Sequence, residues 1–123
     1  MKNKYIVLNK PGKFQSKENT IDLKLSEGEA LVKIKKIGVC GTDYHAFRGN
    51  QPFFTYPRVL GHELGAEVVQ LQSASDDLAI GDRVAVEPYL NCGRCQPCRN
   101  GKSNCCEQLK VLGVHVDGGM ATL

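Results

Sequence analysis

The segment from Asn91 to Cys106 limits most strongly what this chain can fold into. It has the pattern Cys92-x-x-Cys95-x-x-Cys98, with Cys106 following after seven further residues, and it carries almost no aliphatic side chains. A stretch of this composition cannot bury a hydrophobic core, so we expect a metal ion to hold it in shape. Four thiolates close a tetrahedron around zinc and leave no open position. The spacing therefore predicts a structural zinc site in a lobe over residues 91–106.

The same cysteines allow three other interpretations. Disulfides are disfavoured, because the amino terminus lacks the apolar core and cleavage pattern of a secretory signal, and cytoplasmic thiols stay reduced. An iron–sulfur cluster can also begin with C-x-x-C-x-x-C, but its fourth cysteine normally comes sooner and precedes a proline. From spacing alone, Cys105 remains an alternative to Cys106 as the fourth ligand.

Length, charge and hydropathy narrow the function class. The chain has 123 residues, the size of one ordinary domain, and a formal net charge of +3 whose basic residues are scattered along the sequence. Such a mild and dispersed excess does not indicate a nucleic-acid partner. No apolar run is long enough to cross a bilayer. We therefore expect a soluble, cytoplasmic protein that binds neither nucleic acid nor membrane.

Most of the remaining sequence has the pattern of short strands joined by turns. Lys4–Asn9 is rich in β-prone residues and Pro11–Gly12 follows as a turn, which predicts the start of a hairpin. From Glu29 to Val39 apolar and charged side chains alternate, as in a strand with one solvated face. Further strands are predicted over residues 65–71, 84–86 and 111–116. The fold is expected to be mainly β.

A second candidate metal site follows the clearest of these strands. Cys40 lies between Gly38 and Gly41, and His62 follows another glycine. Glycine lets the backbone turn sharply and approach a bound ion closely. A thiolate and an imidazole, with the carboxylate of Glu63 as a third ligand or behind the site, suit a catalytic zinc. Single cysteines and histidines are more often packing residues, so from residue type alone this site is a hypothesis.

A short helix is expected between these two candidate ligands. Thr42 is predicted as its N-cap, Tyr44–Arg48 as its body and Gly49 as its end. The aromatic and proline-rich segment Gln51–Pro57 is predicted to form an irregular loop over the metal pocket.

The order of these motifs resembles a known family. Gly38 to His45, Gly61 to Glu63, Gly81 to Val84 and the cysteine lobe together resemble the zinc-dependent medium-chain dehydrogenases, which include alcohol, sorbitol and threonine dehydrogenases. The resemblance extends over essentially the whole chain. It implies that residues 1–123 form the N-terminal catalytic domain of such an enzyme. The implied fold is GroES-like, a partly open β-barrel with short helices and a zinc-binding lobe.

The resemblance also implies roles for individual residues. Cys40 and His62 would ligate the catalytic zinc, and Glu63 would be a ligand or an adjacent alternate ligand. Thr42 would take the proton from the alcohol, and His45, on the ribose side of the cofactor, would pass it to solvent. In the lobe the family pattern assigns the structural zinc to Cys92, Cys95, Cys98 and Cys106, which selects Cys106 over Cys105.

The implied reaction is hydride transfer from a secondary alcohol to NAD or NADP, giving a ketone. Polyols, sugars and hydroxy amino acids are the implied substrates, and Glu87-Pro88 together with the two short motifs favours polyols. No G-x-G-x-x-G follows a strand in these residues, however. We therefore expect the N-terminal part of a longer, homo-oligomeric dehydrogenase, inactive without its Rossmann domain. The alternative is a free-standing zinc-binding GroES-like module without catalysis.

Overall fold

The computed structural model describes residues 1–22, 24–72 and 77–123 as a mainly β fold, as predicted. Its elements in chain order are β1 Lys2–Lys10, β2 Lys13–Thr20, β3 Ala30–Gly38, α1 Gly41–Arg48, β4 Arg58–Val59, β5 Glu63–Leu71, β6 Arg83–Ala85, β7 Tyr89–Leu90, α2 Gln96–Arg99 and β8 Lys110–Val111. The strands form three small antiparallel sheets among these residues, in the orders β2-β1-β4, β3-β5-β6 and β7-β8. In the part of the chain that the structure describes, no helix is both long and apolar enough to span a membrane.

The first two strands form the predicted hairpin around the Pro11–Gly12 turn. Their pairing runs from Lys2 opposite Thr20 to Lys10 opposite Lys13. The sequence pattern does not reveal β2, because every residue of this strand is exposed and no alternation of buried and exposed positions results. Pairing with β1, rather than a buried face of its own, holds this strand in place.

A small core packs helix α1 against the first sheet. Leu8 from β1, Ala46 from α1 and Leu60 are almost completely buried and contact one another. Three partly buried side chains pack against this cluster: Phe54, Tyr56 and Met120. The Tyr56 hydroxyl also donates a hydrogen bond to the carbonyl oxygen of Ala46. The irregular loop 51–57 therefore contributes two aromatic rings to the core that fixes α1.

The segment Met120–Thr122 joins the first two sheets. The Ile6 amide donates to the Met120 carbonyl over 2.9 Å, and the Ile34 amide donates to the Thr122 carbonyl over 3.1 Å. The buried Asn3 side chain accepts hydrogen bonds from the Thr122 amide and hydroxyl. These bonds place the segment between β1 and β3 and give the partly open barrel that the resemblance implied.

The strand predicted over Val111–Val116 is largely absent. Only Val111 at its start belongs to β8, and the chain then turns back so that Leu112 and Val116 form an isolated bridge. Gly113 in this turn has a φ of 72°, and its backbone lies directly against Gly61. This close approach between two backbones replaces the expected strand.

Substituting Gly118 should reveal how much this backbone packing stabilises the fold. A Cβ atom on Gly118 would lie 2.7 Å from the Leu60 carbonyl oxygen and 2.8 Å from the Gly113 Cα. Main-chain atoms cannot move aside as a flexible side chain can, so Gly118→Ala should lower the free energy of unfolding by about 1–3 kcal/mol or more. Urea denaturation of both proteins measures this. Gly41→Ala is the control, because its Cβ would enter open space, and equal losses in the two variants would contradict the prediction.

Candidate metal centres

Strand pairing brings the first set of candidate ligands together. Gly38 at the end of β3 lies opposite Glu63 at the start of β5. Cys40 and His62 therefore lie close together, just beyond this end of the two strands. Cys40 Sγ lies 3.3 Å from His62 Nε2, and the ligand atoms of Cys40, His62 and Glu63 all lie within 4.8 Å of one another. We call these three residues the Cys40 cluster. Its atoms are close enough to share one small cation.

Helix α1 starts earlier than predicted. Cys40 is the N-cap, with extended backbone, and Thr42 lies inside the first turn, so the prediction of Thr42 as N-cap is wrong. The Asp43 carboxylate reaches back and accepts a hydrogen bond of 3.0 Å from the Cys40 amide, which satisfies a free N–H group at the helix start. Thr42 is thereby released from capping, and its Oγ1 lies 2.8 Å from Cys40 Sγ.

Asp43 is a candidate site residue that the sequence pattern did not indicate. Its side chain is buried, and its Oδ1 lies 3.9 Å from His62 Nδ1. A carboxylate behind a ligating histidine orients the ring and raises the basicity of the nitrogen that faces the metal. The buried His62 Nδ1 has no hydrogen-bond partner among the described residues, and the Asp43 carboxylate lies near it. The signal in the sequence was the acidic residue three positions after the N-cap.

His45 does not belong to the Cys40 cluster. It is exposed in the second half of α1, and its Nδ1 lies 3.2 Å from Asn50 Oδ1. No group of potential metal ligands among residues 1–22, 24–72 and 77–123 includes it. The predicted proton-relay residue therefore lies on the solvent side of the helix that starts at Cys40.

The second set of ligands lies in the lobe as predicted by spacing. The sulfur atoms of Cys92, Cys95, Cys98 and Cys106 lie within 4.8 Å of one another, whereas Cys105 is exposed and outside the group. We call this group the four-cysteine cluster. All six cysteines are free thiols, so the described residues contain no disulfide. Helix α2, a single 3₁₀ turn and the β7-β8 pair hold the lobe together.

Backbone amides point at these sulfur atoms. The Cys95 amide donates to Cys92 Sγ, and the amides of Cys92 and Gln108 donate to Cys106 Sγ, each over 3.3 Å. Amide donors stabilise a thiolate over a thiol. Several backbone N–H groups thus stabilise negative charge on neighbouring sulfur atoms, as expected for thiolates that bind one cation together.

The pKa values of two of these thiols reflect their hydrogen bonds and their burial. Backbone hydrogen bonds from Arg94 and Cys95 lower the pKa of Cys92 to about 6. Burial, together with the neighbouring Cys95, raises the pKa of Cys98 to about 11. The lowered pKa of Cys92 favours its thiolate near neutral pH, whereas burial favours the protonated form of Cys98. A divalent cation would displace that proton, so metal binding by the lobe should weaken as the pH falls.

An apolar pocket of about 430 Å³ lies beside α1. It is lined by side chains from α1 and β2, by the residue preceding Cys40 and by two residues of the core around α1; the principal ones are Phe14, Val39, Tyr44, Phe47, Leu60 and Met120. Of the aromatic residues in the loop 51–57, Phe54 and Tyr56 pack into the core, and Phe53 is 87% exposed. Two aromatic residues of α1, Tyr44 and Phe47, border the pocket.

Comparisons with known proteins identify the family of this chain. Residues 26–123 match the family described as the alcohol dehydrogenase GroES-like domain. The chain belongs to this family. The fold and the resemblance to zinc-dependent medium-chain dehydrogenases, both predicted from the sequence, are thereby confirmed.

Individual members of the family are similar over most of this chain. L-galactonate-5-dehydrogenase of Escherichia coli is 56% identical over 95 residues, which cover 77% of this chain and 28% of that protein. An alcohol dehydrogenase, RspB, of Escherichia coli, solved with NADH, superimposes with a TM-score of 0.85 at 41% identity, covering 98% of this chain and 35% of that one. Galactitol-1-phosphate dehydrogenase of Escherichia coli gives a TM-score of 0.86 at 34% identity, covering 97% and 34%. The chain thus spans about a third of the length of these relatives.

The Cys40 cluster should depend on the glycine at position 38. A Cβ atom there would lie 2.8 Å from the Glu63 Cβ and would overlap the Glu63 carboxylate. Gly38→Ala should therefore displace Glu63, lower the free energy of unfolding by about 1–3 kcal/mol and reduce zinc binding at this cluster. Gly65→Ala on the same sheet is the control, since its Cβ would make only an ordinary contact of 3.7 Å with Lys36. Zinc titration of both variants measures the effect, and equal affinities would refute it.

The adjacent thiols Cys105 and Cys106 offer a matched pair for the lobe. Cys106 is buried in the four-cysteine cluster, and Cys105 points to solvent. Cys106→Ser should cost about one zinc ion per chain and unfold the lobe locally, because the segment lacks a core of its own. Cys105→Ser should keep its zinc. Metal analysis after dialysis distinguishes the two, and loss of zinc from the Cys105 variant would show that the ligand is assigned to the wrong thiol.

Proposed function

We propose that this chain is the N-terminal catalytic part of a zinc-dependent NAD(P) oxidoreductase that oxidises a secondary alcohol to a ketone. The observation that carries the proposal is the Cys40 cluster with the Thr42 hydroxyl 2.8 Å from Cys40 Sγ. Three candidate metal ligands and a hydroxyl that could accept a proton thus lie side by side, next to the end of β3 and the start of β5. Its relatives named as dehydrogenases support the same reaction class.

Zinc fits the residues of the Cys40 cluster. They provide a sulfur, an imidazole nitrogen whose partner nitrogen faces a buried carboxylate, and a carboxylate, which are donor types that zinc prefers. Cys40 and His62 would hold the ion, with Glu63 as a ligand or an adjacent alternate ligand. Zinc, when bound, would lower the pKa of an alcohol hydroxyl towards neutrality and favour departure of the hydride from carbon.

The side chains around the cluster would move the proton and hold the cofactor. Thr42 would accept the hydroxyl proton of the substrate and release its own. His45 would border the ribose side of the cofactor and deliver the proton to water, a role suited to an imidazole ring, which can both accept and donate a proton. Its exposure on α1 is consistent with the last step of such a relay.

The four-cysteine cluster would hold a second, structural zinc ion. Four sulfur ligands from Cys92, Cys95, Cys98 and Cys106 leave no open coordination position for a substrate. The ion would stabilise the lobe at residues 91–106 and take no part in the reaction.

The substrate would be a polyol, a sugar or a hydroxy amino acid, in line with relatives named for L-galactonate, L-threonine and galactitol 1-phosphate. NAD or NADP would be bound mainly by a Rossmann domain elsewhere in the complete protein, because these 123 residues contain no glycine-rich fingerprint. The chain alone would therefore not turn over substrate. The complete protein would work in the cytoplasm as a homo-oligomer, without nucleic-acid or membrane partners.

The test is turnover by the protein that the complete reading frame encodes. Zinc-loaded enzyme is assayed with NAD and NADP against polyols, aldonates and L-threonine. Thr42→Ala should lower kcat/KM by about 100-fold or more while both zinc ions stay bound, because a general base has been removed. Thr42→Ser, which keeps the hydroxyl, should retain most of the activity.

Thr20→Ala is the matched control, since Thr20 lies exposed at the end of β2 and should behave like the wild type. Zinc binding at both clusters without turnover of any alcohol would refute the enzyme and favour a free-standing zinc module. Equal activity of Thr42→Ala and the wild type would refute the role of Thr42 alone.

A further inference from the structure

We infer that Asn50 is a positioning residue that fixes the tautomer of His45, so that Nε2 is the only ring atom able to accept a proton. The role of Asn50 in catalysis rests on the proposed function, but the tautomer of His45 can be tested separately.

The C-terminus of α1 has two specific backbone hydrogen bonds. Gly49 adopts a left-handed conformation with a φ of 82°, and its amide donates to the Ala46 carbonyl over 3.1 Å. The Asn50 amide donates to the His45 carbonyl over 3.0 Å. This pair of bonds defines a Schellman motif, in which the residue after the left-handed glycine lies against the side chain four positions before that glycine. Those two residues are Asn50 and His45.

In most Schellman motifs this contact is hydrophobic, but here it is polar. His45 Nδ1 lies 3.2 Å from Asn50 Oδ1. An amide oxygen can only accept a hydrogen bond, so Nδ1 must carry the proton and Nε2 must be the free acceptor of the neutral ring. A proton arriving at Nε2 gives the imidazolium. It must leave from Nε2 to water, because the amide oxygen at Nδ1 is not a base.

Contacts from the first hairpin hold this helix end in place. The Gly12 amide donates to the Phe47 carbonyl over 2.8 Å, and the rings of Phe14 and Phe47 stack with centroids 5.6 Å apart. A Cβ atom on Gly49 would lie 2.8 Å from the ring of Pro11, so the cap itself is packed against the hairpin turn. Asn50 is therefore presented to His45 by anchored backbone.

The chain contains an internal reference for the opposite tautomer. The Val111 amide donates to His115 Nδ1 over 3.0 Å. A backbone N–H can only donate, so neutral His115 must carry its proton on Nε2. Two exposed histidines of one protein are thus expected to show opposite ring protonation.

Long-range ¹H–¹⁵N spectra of the zinc-loaded, ¹⁵N-labelled chain, recorded well above the histidine pKa, read the tautomers directly. Wild type should show the Nδ1–H form at His45 and the Nε2–H form at His115. Asn50→Ala should release His45 to a mixture of both forms and leave His115 unchanged. Asn50→Asp should keep the Nδ1–H form, because a carboxylate also only accepts. Nε2–H at His45 in the wild type would overturn the inference, since it would mean that the amide nitrogen of Asn50 faces the ring.

Steady-state kinetics of the complete enzyme test whether Asn50 contributes to catalysis. Asn50→Ala should lower kcat/KM about three- to tenfold, the value of one modest hydrogen bond, with zinc content unchanged. Asn50→Asp should restore at least half of the wild-type value. A changed tautomer with unchanged kcat/KM would overturn the positioning role. An inactive wild type would refute the proposed function and leave the tautomer result standing, so the two failures are distinguishable.

Discussion

The pairing of β3 with β5 is the constraint on which the Cys40 cluster depends. Gly38 and Glu63 are cross-strand partners, and this register brings Cys40 and His62 together, although 22 positions separate them along the chain. A shift of one residue would turn every side chain of a strand to the other face of the sheet. The absence of a side chain at Gly38 leaves the space that the Glu63 carboxylate occupies. Sheet register and one small residue together position the Cys40 cluster.

Helix α1 extends from the Cys40 cluster to the protein surface. Its first turn carries the thiol of Cys40 and the hydroxyl of Thr42, and its last turn carries His45 with the Asn50 cap. The core contact of Ala46 and the hairpin contacts of Phe47 and Gly49 fix its C-terminal half, and the cap bond from Cys40 to Asp43 orders its first turn. The proposed proton relay would need its groups to keep their spacing while protons move, and an anchored helix of eight residues meets that need.

The sequence predicted those features that depend on residues close together along the chain. The lobe cysteines lie close together along the chain, so spacing alone indicated their cluster, and the Pro11–Gly12 turn and the Gly49 cap follow from backbone preferences. Cys40 and His62 remained a hypothesis until the family resemblance was considered, because their proximity depends on a non-local strand pair. Asp43 and β2 were missed for the same reason: burial of the one and pairing of the other become visible only when distant segments are assembled.

The two clusters are therefore stabilised in opposite ways. The four-cysteine cluster lies in a lobe without a hydrophobic core, where the metal would replace side-chain packing and its binding free energy would be folding free energy. The Cys40 cluster lies at the edge of a hydrogen-bonded sheet whose central strand buries Leu64, Ala66 and Val68. Its ligands keep their places through strand pairing. A chelator should therefore unfold the lobe but leave the barrel and its first cluster assembled, because only the lobe depends on the ion for its shape.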